Sequence, residues 1–507
     1  MHDSAMTTRN VETTKGDGRA GAEGRVQHWG VAIIGAGAGG LGLAIRLAKS
    51  RRRDFVLFEA SDGVGGTWRS NTYPGAACDV PSHLYSYSFA LKPDWSKTYA
   101  DQPEILRYFE DCADRFGISG HVRPHTRITS AHWHERTRRW HLTDAEGRRY
   151  EADVLVSAVG TFATPSLPDI PGLDSFAGPC FHSARWEHEH DLSGRRVAVV
   201  GTGASAAQII PELAKGAQSV HVFQRTPQWI LPRSDKPFTE EQKRRFARNR
   251  IAMRRHRKEI YWAYENTIAF RRGEEGAEQI KAIARSHLDY RIEDDELRAK
   301  LTPDQPFGCK RTLVCSDFYK ALLRDNVELV TERIDRVTPG SIVTDDGNER
   351  PVDAIVLATG FKATEYLEGI DVVGVDGRRL HDDWSEVAHA YLGLTVAGYP
   401  NFFMLYGPNT NQGGNSIILM LEAQAGYVLR ALRAMRRHRA RAVEVRRDVM
   451  DGYNQELAEA LADTVWNEGC QSYFKNAHGK IATQLPQTTR WYAQRTKRFR
   501  MREYVRS

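Results

Sequence analysis

The chain has 507 residues, 71 Lys and Arg against 64 Asp and Glu, and a formal net charge of +7. That length allows two or three domains with a large core, and the mild basic excess suits anionic cofactors while giving little reason to expect nucleic acid as partner. No apolar run is long enough to span a bilayer, and residues 1–28 lack the apolar stretch of a signal peptide, so the expectation is a soluble cytoplasmic protein with a disordered tail over 1–28 and no membrane partner.

The first organised stretch is a short apolar run, Val31 to Ile34, entering Gly35-Ala-Gly37-Ala-Gly-Gly40, after which Leu41 to Leu47 continues with helical spacing. Strand, tight turn and helix in that order form a dinucleotide cradle: the glycines admit a pyrophosphate to the backbone, and the helix N-terminus stabilises its charge. A second strand, Phe55 to Phe58, ends at Glu59, 24 residues after Gly35, where an acid can bond a ribose hydroxyl. A turn-rich loop follows, with Gly65, Gly66, Thr67, Trp68 and Tyr73 to Asp79. Cys78 stands there without a second cysteine at redox spacing and reads as a small buried residue; on spacing alone Asp79 suits a turn cap or a site role equally. The six cysteines are scattered with no Cys-x-x-Cys pair, and reduced thiols are expected. Asp101 onward opens a helix with Pro103 in its first turn and an apolar stripe at Ile105, Leu106, Phe109, Cys112 and Phe116.

An internal repeat sets the architecture. Thr143 to Gly147 followed by Ala152 to Gly160 is echoed by Thr344 to Gly347 followed by Val352 to Gly360, each a polar hairpin turn feeding an apolar strand that ends in glycine. The run Val197 to Val200 with Gly201-Thr-Gly203-Ala-Ser205-Ala likewise repeats Val31 to Gly40. The fold class is α/β, with two nested Rossmann-like dinucleotide-binding domains, the second inserted in the first. The expected parts are 29–172, an inserted domain over 173–349 with a helical insertion at about 238–300, and 350–507, which returns to the first domain and ends in a helical cap. The second unit has Gln224 where the first has its acid, followed by Arg225 and Thr226. With no carboxylate to repel it and a guanidinium to bind it, a 2′-phosphate fits better than a free hydroxyl, which points to NADP.

Thr239 and Gln242 form a capping-box pattern. Nine Lys or Arg between Lys243 and Lys258 are interleaved with Phe246 and Met253, and a solvated helical insertion is favoured over a nucleic-acid or lipid surface. Lys310 and Arg311 stand in a loop and, without further context, read as surface charge. His188 to Asp191 lacks matching ligands nearby, and no metal is expected. Tyr399 to Gly414 is a strand entering a glycine and asparagine loop, which suits the border of a flat cofactor ring or a tight turn.

The segment joining the two units, Phe176-x-Gly178-x-x-x-His182-x-x-x-Trp186, resembles the fingerprint of type I Baeyer–Villiger monooxygenases, within the flavin-containing monooxygenase superfamily. Gly65-Gly66-x-Trp68-x-x-x-x-Tyr73-Pro74-Gly75-x-x-x-Asp79 is similar to that family's second motif, and Ala358 to Phe361 to the one closing its inserted domain. The fingerprint commonly continues with Pro or Asp, where this chain has Glu187. The resemblance implies FAD in the first unit and NADPH in the second, with a ketone and O2 as substrates. It further implies that Arg311 sits beside the flavin and supports its C4a-peroxide anion, that Asp79 holds that arginine, and that Lys310 joins Arg225 and Thr226 on the 2′-phosphate. Phe176, Gly178, His182 and Trp186 would couple domain closure to the active site without acting as acids or bases. The implied reaction inserts one oxygen beside a ketone carbonyl to give an ester or lactone. Oxygenation of amines or sulfides is the alternative; a disulfide reductase lacks its cysteine pair, and a non-enzymatic redox or nucleic-acid-binding protein would need the helix from Thr239 as its working surface.

Overall fold

The computed structural model describes residues 26–265, 275–467 and 472–507. The tail expected over 1–28 falls outside these residues except at its end, where Gln27 and His28 already belong to the first strand. The first unit runs β1 (Gln27–Ile34), α1 (Ala38–Lys49), β2 (Phe55–Phe58), α2 (Gln102–Arg115), β3 (Val122–Arg123), β4 (Ile128–His134), β5 (Arg139–Asp144) and β6 (Arg149–Ser157). The chain then crosses to β7 (Cys180–His182), β8 (Arg196–Val200), α3 (Ala204–Leu213) and β9 (Ser219–Phe223). Four helices follow, α4 (Glu240–Arg248), α5 (Arg250–Glu265), α6 (Glu275–Arg291) and α7 (Asp295–Leu301), before β10 (Val327–Val330) and β11 (Ala354–Leu357). It returns through β12 (Asp371–Val373) and β13 (Phe402–Met404) and ends with α8 (Ile417–His438), α9 (Arg447–Ala462) and α10 (Thr489–Arg495).

The repeat seen in the sequence is a repeat of sheet order. In the first sheet, ordered β12-β4-β5-β6-β1-β2-β3 with β13 also on β6, β1 lies between β6 and β2 and is parallel to both. In the second, ordered β10-β9-β8-β11-β7, β8 lies between β11 and β9 in the same way. Strands covered on both faces read as continuous apolar runs, and Val31 to Ile34 is buried throughout. Along β8 the alternation of side chains divides two cores, with Val197 and Val199 under α3 and Ala198 on the opposite face with Ile355 and Leu357. Because β11 is hydrogen-bonded to β7 and β8, the second sheet extends past residue 349, where the return to the first domain was expected.

The helical insertion is anchored as its sequence suggests at one end and unexpectedly at the other. Thr239 and Gln242 close a capping box, with Gln242 N donating to Thr239 Oγ1 at 3.2 Å and Thr239 N to Gln242 Oε1 at 2.8 Å. Phe246 and Met253 are buried, and most of the basic residues are exposed. Arg257 departs from that reading: it is buried and its Nη1 donates to the carbonyls of His83 and Leu84 at 2.7 and 2.8 Å. Beside it His83 is 2% exposed, and neither ring nitrogen has a hydrogen-bond partner among the described residues. Burial, with His256, Arg257 and Lys92 nearby and only Asp94 opposing, pushes the His83 imidazole from 6.5 down to about 3.

This histidine is neutral when folded and protonates more readily when unfolded. Its contribution to stability is therefore complete above pH 6.5 and is lost as the pH falls from there toward 3. Melting temperatures recorded at pH 7 and pH 5 are expected to fall more for the wild type than for His83→Phe; parallel falls in both proteins would refute this origin of the acid sensitivity.

Candidate active site

Both glycine loops open onto one continuous cavity of about 2330 Å³. On its wall the N-caps of α1 and α3 are Gly37 and Gly203, and neither helix has a side-chain cap or an acidic residue in its first turn. Orphan N–H groups and the positive end of the dipole are thus left for an anion, whereas α7 and α10 are capped by the side chains of Asp294 and Thr488. The residues therefore fit a pyrophosphate at each of two places. Glu59 lies at the end of β2 with its carboxylate fixed by Ala36 N at 2.7 Å and by Ser61 N and Oγ at 2.9 and 2.8 Å. A carboxylate offers about four acceptor sites, so one remains open for a ribose hydroxyl. Thr67 and Trp68, on a single helical turn, also line the cavity, and Trp68 Nε1 is oriented by Tyr85 Oη at 3.0 Å. Of the glycines expected to hold a cofactor, Gly35, Gly37, Gly201 and Gly203 reach the cavity wall and Gly40 does not.

The structure brings Asp79 and Arg311 together, although 232 residues separate them, in a direct ion pair between Asp79 Oδ2 and Arg311 Nη2. Both side chains line the cavity. The neighbouring carboxylate raises the proton affinity of Arg311 above its ordinary value, overcoming the opposing effect of burial, so the guanidinium stays charged. Around it stand Tyr73, Tyr406 and Tyr473, whose phenols burial pushes upward, keeping them neutral hydroxyls. Trp466 Nε1 donates to Gly308 O at 3.0 Å, and with Tyr473 and Phe474 it brings the C-terminal segment over the Gly308 to Arg311 loop.

At the second cradle Arg225, Thr226 and Lys310 all face the cavity. Burial lowers the Lys310 ammonium and the nearby Arg225 lowers it further, with only Asp304 opposing. Two cations placed close enough to repel define a place for an anion. Gln224 is buried, and its Nε2 donates to Lys300 O at 2.7 Å, tying the end of β9 to α7. The cysteines differ from expectation. Cys78, Cys112, Cys180 and Cys315 are free thiols, while Cys309 is disulfide-bonded.

None of Phe176, Gly178, His182 and Trp186 lines the cavity. They form a packed joint at the edge of the second sheet. His182 is buried on β7, its Nδ1 accepts from Ala184 N at 3.1 Å, its ring meets Phe361 edge-on at 5.7 Å, and burial lowers its pKa. Trp186 packs edge-on against Phe181 at 5.1 Å. Gly178 is required by contact: a Cβ there would lie 2.4 Å from Asp353 O and 2.8 Å from the Phe176 ring. Glu187 turns to His190, with 3.1 Å between Oε2 and Nε2. Sequence reasoning missed Gln208, on the face of α3 toward the Tyr73 to Ala77 loop, and Tyr264 of α5, which lines the cavity. Gln208 lies three residues after Ser205 and so shares its helix face, a signal that no short motif marked.

Two dinucleotide cradles on one cavity, with a carboxylate-held guanidinium between them, define a two-cofactor redox enzyme. The family model described as flavin-binding monooxygenase-like matches residues 28–372. A Baeyer–Villiger monooxygenase of Pseudomonas aeruginosa is 43% identical over 476 residues, covering 93% of this chain and 90% of the relative. One of Streptomyces coelicolor is 42% identical over 482 residues, covering 94% and 92%. Among solved structures, cyclohexanone monooxygenase in its closed form superposes with a TM-score of 0.85 at 29% identity, covering 95% of this chain and all of that one (100%). OTEMO in complex with FAD and NADP also gives 0.85 at 29%, covering 94% and 99%. The chain belongs to the flavin-binding monooxygenase-like family. Within it, the relatives and structural neighbours mark the chain as an FAD- and NADP-dependent monooxygenase of the Baeyer–Villiger type.

The packing at Gly178 leads to a direct expectation. Gly178→Ala forces the start of β7 away from Asp353, at a cost of about 1–3 kcal/mol typical of overpacking, and chemical denaturation of the holoprotein will show an earlier midpoint. An unchanged midpoint would mean that the strand shifts freely.

Proposed function

We propose that the Asp79–Arg311 pair is the catalytic centre for transfer of oxygen to a ketone, and that Arg225, Thr226 and Lys310 hold the 2′-phosphate of NADPH. The observation that carries this reading is the position of the pair: a permanently charged guanidinium, fixed by a carboxylate, on a cavity shared by both cradles. FAD and NADPH supply, when bound, hydride reduction of the flavin and activation of O2; the chain must do the rest. Arg311 presents positive charge where an oxygen anion has to persist and where negative charge grows on the substrate oxygen. Asp79 fixes its direction and prevents the guanidinium from swinging away to solvent. Tyr73, Tyr406 and Tyr473 remain protonated and line the same space as neutral hydroxyls. Gly35 and Gly37 with Glu59, Thr67 and Trp68 would hold FAD, and Gly201, Gly203 and Ser205 would hold the pyrophosphate of NADPH. The ketone and O2 enter the same cavity, whose walls include Tyr264, Trp466, Tyr473 and Phe474 and exclude water from the reacting atoms. We assign residues 173 to about 357 to the NADPH-binding unit and the flanking parts to the FAD-binding unit, and place the enzyme in the cytoplasm. The packed setting of His182 and Trp186 just behind the cavity wall, with the His182 ring against Phe361 of that wall, supports their role in coupling the units.

Arg311→Ala should still let NADPH bleach the flavin under anaerobic conditions but form no ester from a panel of ketones; robust ester formation would remove Arg311 from the centre. Arg225→Ala should weaken NADPH about tenfold or more, as expected for losing a charge-assisted phosphate contact, and leave NADH nearly unaffected. Steady-state KM values for the two nucleotides test this, and equal losses for both would place Arg225 away from the 2′-phosphate.

A further inference from the structure

The loop from Thr72 to Asp79 is gripped from both units. On the FAD side Gln102 N donates to Ala76 O at 2.8 Å and Cys78 N to Ala100 O at 3.1 Å. From the other side Gln208 of α3 makes a clasp: its Nε2 donates to Ala77 O at 3.0 Å, and its Oε1 accepts from Tyr73 Oη at 3.1 Å and from Ala77 N at 3.4 Å. The approach is so close that a Cβ at Gly75 would stand 2.6 Å from Gln208 O. Ser205, one turn earlier on the same helix, lies near the Tyr73 hydroxyl, and the linker adds His188 Nε2 against Thr72 Oγ1 at 2.8 Å.

These contacts lie between two charged places. Gln208 sits one turn beyond the uncapped N-terminus of α3, and the loop it clasps ends at Asp79, which holds Arg311. We propose that Gln208 is a positioning residue that couples nucleotide occupancy at the α3 N-terminus to the loop carrying Asp79, and so to the direction of the Arg311 guanidinium. The inference rests on the catalytic reading of Asp79 and Arg311. A nucleotide held by Gly201, Gly203 and Ser205 fixes the first turn of α3, and Ser205 and Gln208 pass that constraint to Tyr73 and Ala77. Among polar side chains of ordinary length, glutamine suits the clasp because it meets the N–H and C=O of one residue, Ala77, with its own carbonyl and amide. Glutamate at 208 would keep the two acceptor contacts, lose the donor and set a charge against Ala77 O.

The experiment uses the FAD-loaded enzyme. Hydrogen exchange of the peptide covering 72–79 is measured with and without NADP+, together with NADP+ affinity and the share of NADPH oxidation that ends in ester or in hydrogen peroxide. In the wild type NADP+ should slow exchange in this peptide. In Gln208→Ala the nucleotide should bind within about threefold of wild type, because the lost contacts are not to the ligand, while the loop is no longer slowed and hydrogen peroxide rises at the expense of ester. Gln208→Glu and Tyr73→Phe, which remove fewer contacts, should fall between, and they carry the test if the alanine variant does not fold. Nucleotide-dependent slowing of the loop equal to wild type in these variants overturns the proposal, and so does a loss of NADP+ affinity that accounts for all other changes. Asp79→Ala is run alongside: if it still makes ester, the catalytic reading fails, and the exchange data on Gln208 still decide whether the coupling exists.

Discussion

The ion pair between Asp79 and Arg311 joins two units that fold around separate sheets, and the site has meaning only while both hold their places. The carboxylate comes from a loop packed on the first unit and the guanidinium from a loop after the helical insertion of the second. An isolated pair of this kind at a surface would contribute little. Here it stands on a cavity wall beside the phenols of Tyr73, Tyr406 and Tyr473 and is backed by backbone hydrogen bonds on the Asp79 side, so its direction is set by the architecture on either side.

That architecture explains why one scaffold is used twice. Each unit places a strand between two parallel neighbours, stops it at glycine and starts a helix without a side-chain cap. The same backbone arrangement leaves room and free N–H groups for a pyrophosphate in each, and the differences sit at the strand after the helix. Glu59 is braced by three hydrogen bonds and faces the cavity, whereas Gln224 turns to Lys300 and leaves the adjoining space to Arg225 and Lys310.

Much of this was legible in the sequence because the determinants are local. Glycine spacing, apolar runs and the Thr239 capping box each report on a few consecutive residues, and they located both cradles and the start of the insertion. Asp79 and Arg311 were ambiguous on spacing alone and gained a role only through the resemblance of longer motifs. What could not be read depends on contacts between distant segments. Nothing near Arg257 in the chain announces that this one arginine of a basic stretch reaches the carbonyls of His83 and Leu84. The return of the chain to the first domain was placed before Val352, but strand pairing keeps Ala354 to Leu357 with the second sheet. Gln208 carried no signal because its partners lie more than a hundred residues away.

The chain passes between the units twice, once between β6 and β7 and once between β11 and β12. A body tethered at two points keeps one easy freedom, rotation about the line through both tethers. Such rotation would carry the Lys310 to Arg311 loop along an arc past the flavin cradle while leaving each sheet intact. The inserted unit is thus joined to the first like a door on two hinges, and its side chains bound to the first unit, Gln208 on the Thr72 to Asp79 loop and Arg257 on His83 and Leu84, set the angle at which it is held.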